Sequence, residues 1–306
     1  MRIFHGERRL CDDAQVAQES IVLSIAVAGV AFFFTYIMVL PMLEGFKLSF
    51  TNWDGIFTER FVGLANYRRL FQEPVFYKSL QVTFIYTVIV LTVQNAAAIF
   101  LAVMLDRKFT GQTFFRALFF IPNLLSVVVV GLIFSYLFNL NFGSFNIILK
   151  HLGLTGLAGI DWLGDTRYAL YVVAAVTVWQ YAGLNMLIYL GALQQVPAEL
   201  YESAAIDGVT IWQKFRHVTF PLIMPAVTIN TLITMIGCLR IFDIVFVMTG
   251  GGPAQATQTI AIAIYKDAFF GSNAGYASAE SFVLLIMITA IAVIQAKYLR
   301  SKEVAL

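Results

Sequence analysis

The side chains that could carry out chemistry are scattered through this 306-residue chain without the spacing of a catalytic or metal site. His5, His151 and His217 lie far apart, and the two cysteines, Cys11 and Cys238, are separated by most of the chain. Two such cysteines predict neither a disulfide framework nor a zinc site. No Gly-Lys pair occurs, so the phosphate-binding loop of nucleotide hydrolases is absent from the sequence. We therefore expect no catalytic residue, no metal and no cofactor on this chain.

The polar residues of segment 196–225 are more ordered, and the segment reads VPAELYESAAIDGVTIWQKFRHVTFPLIMP. Pro197 suits a first helical position, and Glu199 and Glu202 in the next turn favour the positive end of the helix dipole. Asp207-Gly208 is typical of a turn or of the residues that cap a helix at its C-terminus. These signals predict one short helix.

A second short helix is predicted directly after the first. Thr210 and Gln213 have the three-residue spacing of a capping box, in which each side chain accepts a hydrogen bond from the backbone N–H of the other residue. Pro221 and Pro225 then mark the end of this helix and the start of a new one. A helix-turn-helix of this kind could be an ordinary amphipathic connector or a knob that binds another protein.

The elements that must position this segment are predicted to be membrane-spanning helices. Hydrophobic residues make up 59% of the chain and charged residues 12%, roughly half the charged fraction of a soluble protein. Continuous apolar runs favour helices over the alternating strands of a barrel. Six runs, each close to the length that crosses about 30 Å of hydrocarbon, lie near residues 21–40, 79–104, 114–138, 169–193, 225–248 and 281–296. We therefore predict an all-α integral membrane protein with six transmembrane helices.

The first run could instead be a signal peptide, but its apolar stretch is too long and no A-x-A site follows it. With both termini cytoplasmic, the inner segments hold 11 Lys and Arg in 71 residues and the outer segments hold 8 in 95. Positively charged loops favour the cytoplasmic side, so this arrangement is preferred. It divides the chain into a cytoplasmic segment, 1–20, and a transmembrane domain, 21–306. The net charge of +2 gives no reason to expect a nucleic-acid partner.

Between two predicted spans, segment 196–225 resembles the EAA loop of binding-protein-dependent ABC importer permeases. That pattern is E-A-A, three residues, Gly, nine residues and then I-x-L-P. This chain has Glu202-Ser203-Ala204, then Gly208, then Val218-Thr219-Phe220-Pro221, and every spacing is kept. Ser203, Val218 and Phe220 replace the Ala, Ile and Leu of the pattern, and all three changes are modest in size.

The resemblance implies that the two short helices bind a groove on a separate ATPase subunit, which holds ATP and Mg²⁺, and pass its motion to the membrane helices. It also implies a second homologous permease, a dimer of ATPase subunits and an extracytoplasmic solute-binding protein. The complex would lie in the cytoplasmic membrane of a bacterium or archaeon. The residues expected to bind the ATPase are Glu202, Ser203, Ala204, Asp207 and Gly208.

Other strings resemble the carbohydrate-uptake branch of these permeases. Residues 240–253 read RIFDIVFVMTGGGP and residues 265–269 read YKDAF, which resemble the R-x-F-D, T-G-G-G-P and Y-x-x-A-F of that branch. Residues 61–67 read FVGLANY, which resembles the F-x-G-L-x-N-Y of its first permease subunit. The resemblance implies a sugar, oligosaccharide or polyol as substrate and a family core at about 77–297.

The fourth and fifth runs carry what a sugar pathway needs, namely hydrogen-bonding side chains beside flat apolar surfaces. Polar side chains in membrane helices can equally bond neighbouring helices together, and any one of them could have either role. Gln94 and Asn95 in the second run are predicted to pack between helices. The pathway candidates are Trp179, Gln180, Tyr181 and Asn185, followed by Thr231, Thr234 and Cys238, which share one helical face.

The stretch after the fifth run is predicted to form an outer gate. Arg240 and Asp243 are three residues apart on one face of the fifth helix, and we expect an ion pair near the outer surface, with substrate contact as the alternative. Glu280 is unexpected at the start of the sixth helix, where it could set a substrate preference or lie among headgroups. A sharp end to the helix, either a plain turn or a loop near the gate, is predicted at Gly250, Gly251, Gly252 and Pro253.

We therefore expect the permease subunit of an ATP-driven carbohydrate importer and not an enzyme. The alternative is an ion-coupled secondary transporter of a small polar solute, which predicts inverted repeats and broken midplane helices. No convincing repeat is visible in the sequence. A channel or receptor subunit would leave the helix-turn-helix unexplained.

Overall fold

The computed structural model describes residues 27–30, 32–57, 59–107 and 109–303, so the predicted cytoplasmic segment 1–20 lies outside the described part. Within the described part, β-pairing is limited to one antiparallel bridge between Thr51 and Phe61. The prediction of an all-helical chain is confirmed. In chain order the helices are α1 (Val27–Leu48), α2 (Ala65–Leu70), α3 (Pro74–Asp106), α4 (Gln112–Leu124), α5 (Val127–Leu137), α6 (Ser144–His151), α7 (Thr155–Ala158), α8 (Ala169–Leu193), α9 (Ala198–Ile206), α10 (Ile211–Leu222), α11 (Met224–Leu239), α12 (Asp243–Thr249), α13 (Ile260–Phe269) and α14 (Ala274–Arg300).

Four of these helices are uninterrupted, apolar and long enough to cross a membrane. They are α1, α3, α8 and α14, and they correspond to the first, second, fourth and sixth predicted runs. The remaining apolar stretches are bent pairs of helices, so the described residues contain four to six candidate spans. The lengths and composition of these helices therefore indicate a multi-pass membrane protein. The number of crossings depends on whether each bent pair crosses the membrane as one span.

The third predicted run is two helices and not one. Helices α4 and α5 meet at 93°, because Leu125 and Ser126 between them take extended backbone angles. Pro122 lies inside α4 and has no N–H to donate to the carbonyl of Leu118, which weakens the last turn before the bend. The prediction of one continuous helix over 114–138 was therefore wrong.

The fifth predicted run is also interrupted. Helix α11 ends at Leu239, and α12 begins at Asp243, so three residues between them leave the helical path. The hydroxyl of Thr259 donates a 3.0 Å hydrogen bond to the carbonyl of Ile241, which satisfies a backbone group that the break sets free. At its other end, α11 meets α10 at 71°. The prediction of a single helix over 225–248 was therefore wrong.

Helix α8 is the centre of the bundle. In its most apolar stretch 56% of the residues are buried, against 17% in α14 and none in α1. It runs along α3, where the Tyr86 hydroxyl donates a buried 2.7 Å hydrogen bond to Thr177. It also crosses α4 closely, because Gly183 offers no side chain against the backbone of Phe119. The core forms where α3 and α8 meet α11 and α12.

The two ends of the bundle carry different segments. One apolar cluster contains Leu105 at the end of α3 and Leu193 at the end of α8, and α9 and α10 follow there. We call this the α9 end. The opposite end carries α2, α6, α7 and the connection from α12 to α13. There Asn66 donates hydrogen bonds to the carbonyls of Ser49 and Thr51, which holds the loop after α1 in place.

Candidate functional site

Helix α9 ends in the turn that its sequence predicts. Asp207 is the C-cap, and Gly208 has a φ of +68°. The N–H of Val209 donates to the carbonyl of Ala204, and that of Gly208 donates to the carbonyl of Ala205, which together make a Schellman motif. A residue with a Cβ pays roughly 1–2 kcal/mol for this left-handed conformation. Glycine is therefore the residue that lets α9 stop here.

Helix α10 begins with the predicted capping box. The Thr210 hydroxyl accepts from the N–H of Gln213 at 3.3 Å, and the Gln213 side chain accepts from the N–H of Thr210 at 2.8 Å. The Lys214 ammonium lies 4.6 Å from the centre of the Tyr201 ring, a cation–π contact that joins α10 to α9. Pro197, expected at the first helical position, instead occupies the N-cap one residue earlier. The predicted pair of short helices is confirmed.

The surface of these two helices is apolar and uncovered. Ile206, Ile211 and Trp212 are exposed over 87%, 76% and 65% of their surface. Large apolar side chains exposed together on a short connector are typical of a protein-binding surface. We call residues 198–222 the α9–α10 segment. Its exposure fits a knob that meets another chain better than a connector that packs on its own bundle.

The residues predicted to bind an ATPase divide into two groups. Glu202, Ser203 and Asp207 are exposed, whereas Ala204 is buried at the contact with α10. The two helices enclose an open cleft of about 350 Å³ lined in part by Ser203, Asp207 and Lys214. The acidic side chains therefore lie on the rim of an apolar surface, where they can pair with basic groups of a partner.

The predicted pathway residues do not share one environment. Gln180, Asn185, Thr234 and Cys238 are buried inside the chain, and Cys238 is a free cysteine. Asn185 donates to the Thr234 hydroxyl at 3.1 Å, and Gln180 donates to the carbonyl of Leu125 at 3.2 Å. These bonds join helices, which is the alternative role that the sequence left open. The accessible members of the set are Trp179, which is exposed, and Tyr181 and Thr231, which are half-buried.

A buried polar contact joins α3 to α8 near the α9 end. The Tyr189 hydroxyl donates a 2.5 Å hydrogen bond to the side-chain carbonyl of Asn95. Both residues are more than nine-tenths buried. Asn95 thus packs between helices as predicted, whereas Tyr189 was not anticipated. The sequence signal that could have identified Tyr189 is a tyrosine within an apolar run, because a buried hydroxyl needs a hydrogen-bond partner.

We expect Tyr189→Phe to destabilise the folded chain by about 1–3 kcal/mol, because the Asn95 carbonyl is left buried without its donor. Thermal unfolding of the purified chain in detergent measures the effect. Tyr171→Phe is the matched control, since Tyr171 is 57% exposed on the same helix and makes no side-chain hydrogen bond among the described residues. Equal unfolding temperatures for the two variants would contradict the assigned contact.

The charged residues of the fifth run do not form the expected ion pair. Arg240 caps α11 and Asp243 opens α12, so the break separates them, and both side chains are exposed. Within the described residues the ion pairs are Lys47–Glu59, Arg69–Glu73 and Arg167–Asp165. The predicted Arg240–Asp243 pair was therefore wrong, because residues three apart share a face only in a continuous helix.

The glycine-rich stretch forms the predicted sharp stop. Gly250 and Gly251 have φ values of +60° and +88°, and α12 ends at Thr249. The Thr257 hydroxyl donates to the carbonyl of Gly252 at 2.6 Å and lies 2.7 Å from the Thr249 hydroxyl. These bonds fold residues 249–257 into an ordered turn. Only residues that tolerate positive φ can occupy the positions of Gly250 and Gly251.

Glu280 lies inside the fold and not at its surface. Its side chain is 2% exposed, and Oε2 has no hydrogen-bond partner among the described residues. The Asp267 carboxyl interacts with it, and burial raises the pKa of Asp267. A location among headgroups is thereby excluded for this conformation. Only the presence of the carboxyl can be predicted from the sequence, because its burial depends on α13, which packs against α14.

A family model described as binding-protein-dependent transport system inner membrane component matches residues 94–302. Among similar proteins is "Probable ABC transporter permease protein YurN" of Bacillus subtilis (strain 168). It is 34% identical over 89% of this chain and 94% of the relative. Another is "Probable starch degradation products transport system permease protein AmyD" of Thermoanaerobacterium thermosulfurigenes, 32% identical over 88% and 90% of the two chains.

A solved structure has the same fold. It is a bacterial alginate ABC transporter in complex with an alginate pentasaccharide-bound periplasmic protein, and one of its chains superposes with a TM-score of 0.78. The sequences are 20% identical, and the match covers 92% of this chain and 94% of the other. The two chains therefore share the same arrangement of helices.

Proposed function

Because this chain belongs to the family of binding-protein-dependent transport system inner membrane components, we propose that it is the membrane permease subunit of an ATP-driven importer of carbohydrates. The observation that carries this function is the α9–α10 segment, in which the family's loop spacing coincides with an uncovered apolar knob. A knob of this kind needs a partner, and the chain itself has no phosphate-binding loop.

The carbohydrate assignment has support of two kinds. A relative with 32% identity along nearly its whole length is described as transporting starch degradation products. The RIFDIVFVMTGGGP and FVGLANY strings of this chain resemble the carbohydrate-uptake branch. A sugar, oligosaccharide or polyol delivered by an extracytoplasmic binding protein is thus the substrate class that fits best.

The proposed complex contains four kinds of chain. The α9–α10 segment would insert into a dimer of ATPase subunits, which bind ATP and Mg²⁺ and hydrolyse the nucleotide. A second permease would complete the pathway, and a binding protein would deliver the sugar from outside. The acidic rim at Glu202 and Asp207 suits basic groups on the ATPase. The complex would lie in the cytoplasmic membrane, with the α9 end inside the cell.

Reconstitution of the chain with its second permease, ATPase and binding protein in proteoliposomes tests this function. We expect uptake of a labelled saccharide only with ATP and the binding protein, and no change when ion gradients are collapsed. Uptake that follows an ion gradient without ATP would instead establish the secondary transporter.

The orientation has its own prediction. In a background with Cys11 and Cys238 replaced by alanine, we expect Ser203→Cys to react with a membrane-impermeant maleimide only after the cells are permeabilised. Thr166→Cys, on the opposite end of the bundle, should react in intact cells, and both positions are exposed. The positive-inside bias is the physical reason. Labelling of Ser203→Cys in intact cells would place the α9–α10 segment outside and refute the ATPase partner.

A further inference from the structure

Five aromatic rings form a continuous cluster at the end of the bundle opposite α9. Tyr265 is its centre, with ring centroids 5.1 Å from Phe242, 5.2 Å from Phe246, 5.1 Å from Phe269 and 5.7 Å from Phe270. Phe242 and Phe246 stack at 5.0 Å and 16°. We call these five residues the aromatic track. It extends from the end of α13 to the break between α11 and α12.

The track is open along much of its length. Phe269 and Phe270 are exposed over 74% and 75% of their surface, and Phe246 over 37%. Tyr265 is half-buried, and its hydroxyl has no hydrogen-bond partner in the part of the chain that the structure describes. The rings therefore present flat faces, and one free hydroxyl, to something outside this chain.

Lipid does not fit this face. Asp243 lies three residues before Phe246 on the same side of α12, and Arg240 lies just across the break. Both charges are exposed and unpaired among the described residues. Bare charges in hydrocarbon cost about 2.5–3.5 kcal/mol each on insertion scales, so they face water or protein. The inner end of the track is thus a charged break between α11 and α12 that faces water or protein.

Flat aromatic faces beside charged and hydroxyl groups are the chemistry of a saccharide site. The faces of a pyranose ring carry C–H groups that pack on aromatic rings, and its rim carries hydroxyls that bond to carboxylates, guanidinium and phenol. A row of rings also offers similar binding at successive positions, which suits a ligand that passes from one ring to the next during transport.

We propose that the aromatic track binds the C–H faces of the imported saccharide and guides it from the outer surface to the charged break at Arg240 and Asp243. The inference rests on the proposed carbohydrate import and assigns its outer pathway. The track is separate from the buried side chains Gln180, Asn185 and Thr234, which form hydrogen bonds between segments of the bundle. The hydroxyls of the sugar would meet Asp243 and Arg240 at the end of the track.

The test uses the complete importer in proteoliposomes, with labelled maltose, lactose, raffinose and maltopentaose as probes. Tyr265→Leu and Phe269→Leu remove a ring and keep an apolar side chain, whereas Tyr265→Phe and Phe269→Trp keep a ring. Phe100→Leu is the matched control, because Phe100 is 63% exposed on α3 and stands apart from the track. The readouts are uptake rate, saccharide moved per ATP hydrolysed and recovery of the second permease on affinity purification.

We expect both leucine variants to lower uptake about fivefold, with less saccharide moved per ATP, while the complex stays assembled. The two ring-keeping variants and Phe100→Leu should remain within about twofold of the unmodified importer. Leucine variants that match Phe100→Leu in every readout would overturn the track. Leucine variants that lose the second permease would also overturn it, because the rings would then be a subunit contact. An unmodified importer that takes up none of the four saccharides would overturn the track, and uptake of a labelled polyol by the same importer would keep the proposed import function.

Discussion

Replacing Gly208 with tryptophan is expected to lower saccharide uptake at least tenfold while the chain remains folded in the membrane. A Cβ at this position has no neighbour within 4 Å, so the new side chain is accommodated within this chain and extends into open space. Its φ of +68° adds roughly 1–2 kcal/mol of strain. The main effect is steric, because the indole would stand on the surface proposed to enter the ATPase. ATP hydrolysis should then no longer respond to the loaded binding protein.

Gly153 supplies a matched control for this substitution. It has a φ of +75°, a Cβ there also has no neighbour within 4 Å, and it lies at the opposite end of the bundle. Gly153→Trp therefore adds the same bulk and similar strain without touching the proposed ATPase surface. Gly208→Asn, which tolerates the left-handed conformation, should keep more activity than Gly208→Trp. Uptake by Gly208→Trp equal to that of Gly153→Trp would refute the proposed role of the segment.

Gly183→Ala is the substitution expected to damage folding most. An added Cβ would lie 1.8 Å from the carbonyl oxygen of Phe119 and 3.0 Å from the amide nitrogen of Phe120. Both atoms belong to the backbone of α4, so no side chain can turn aside and the helices must separate. We expect a loss of at least about 3 kcal/mol, the upper part of the range for overpacking, and low recovery of folded protein from the membrane.

Gly191→Ala makes the same chemical change two turns further along α8, where a Cβ meets nothing within 4 Å. This variant should be as stable as the unmodified chain or slightly more stable, because alanine favours a helix over glycine by up to about 1 kcal/mol. Detergent solubility and thermal unfolding of both variants provide the measurement. Similar unfolding temperatures would show that α4 and α8 are further apart than the structure places them.

The features that the sequence predicted well are those set by neighbours along the chain. The turn at Asp207-Gly208 and the capping box at Thr210 and Gln213 form as expected, since each depends on at most six consecutive residues. The ends of α8 also agree with the predicted run at 169–193, because length and hydrophobicity decide them. Local chemistry was sufficient for these elements.

The features that were missed depend on contacts between distant segments. None of the three residues of the break after Leu239 is a glycine or proline, so the local sequence does not predict it. The carbonyl of Ile241 accepts its hydrogen bond from Thr259, which is 18 residues away. Helix α8 is buried on several sides, so a periodic pattern could not show which of Gln180, Tyr181 and Asn185 faces outward. The aromatic track likewise joins α12 and α13 only after the chain has turned at Gly250.

The turn between α8 and α9 has a mechanical consequence. The N–H groups of Gln194, Gln195 and Val196 donate hydrogen bonds to carbonyls of the last turn of α8, so the connection to α9 is ordered. Helix α8, roughly 38 Å long at 1.5 Å per residue, is pinned to α3 through Thr177 and Tyr189. A push on α9 would therefore shift α8 and α3 together as one rigid body. Any bending of the bundle would then concentrate at the two interruptions, the 93° corner between α4 and α5 and the non-helical residues after Leu239.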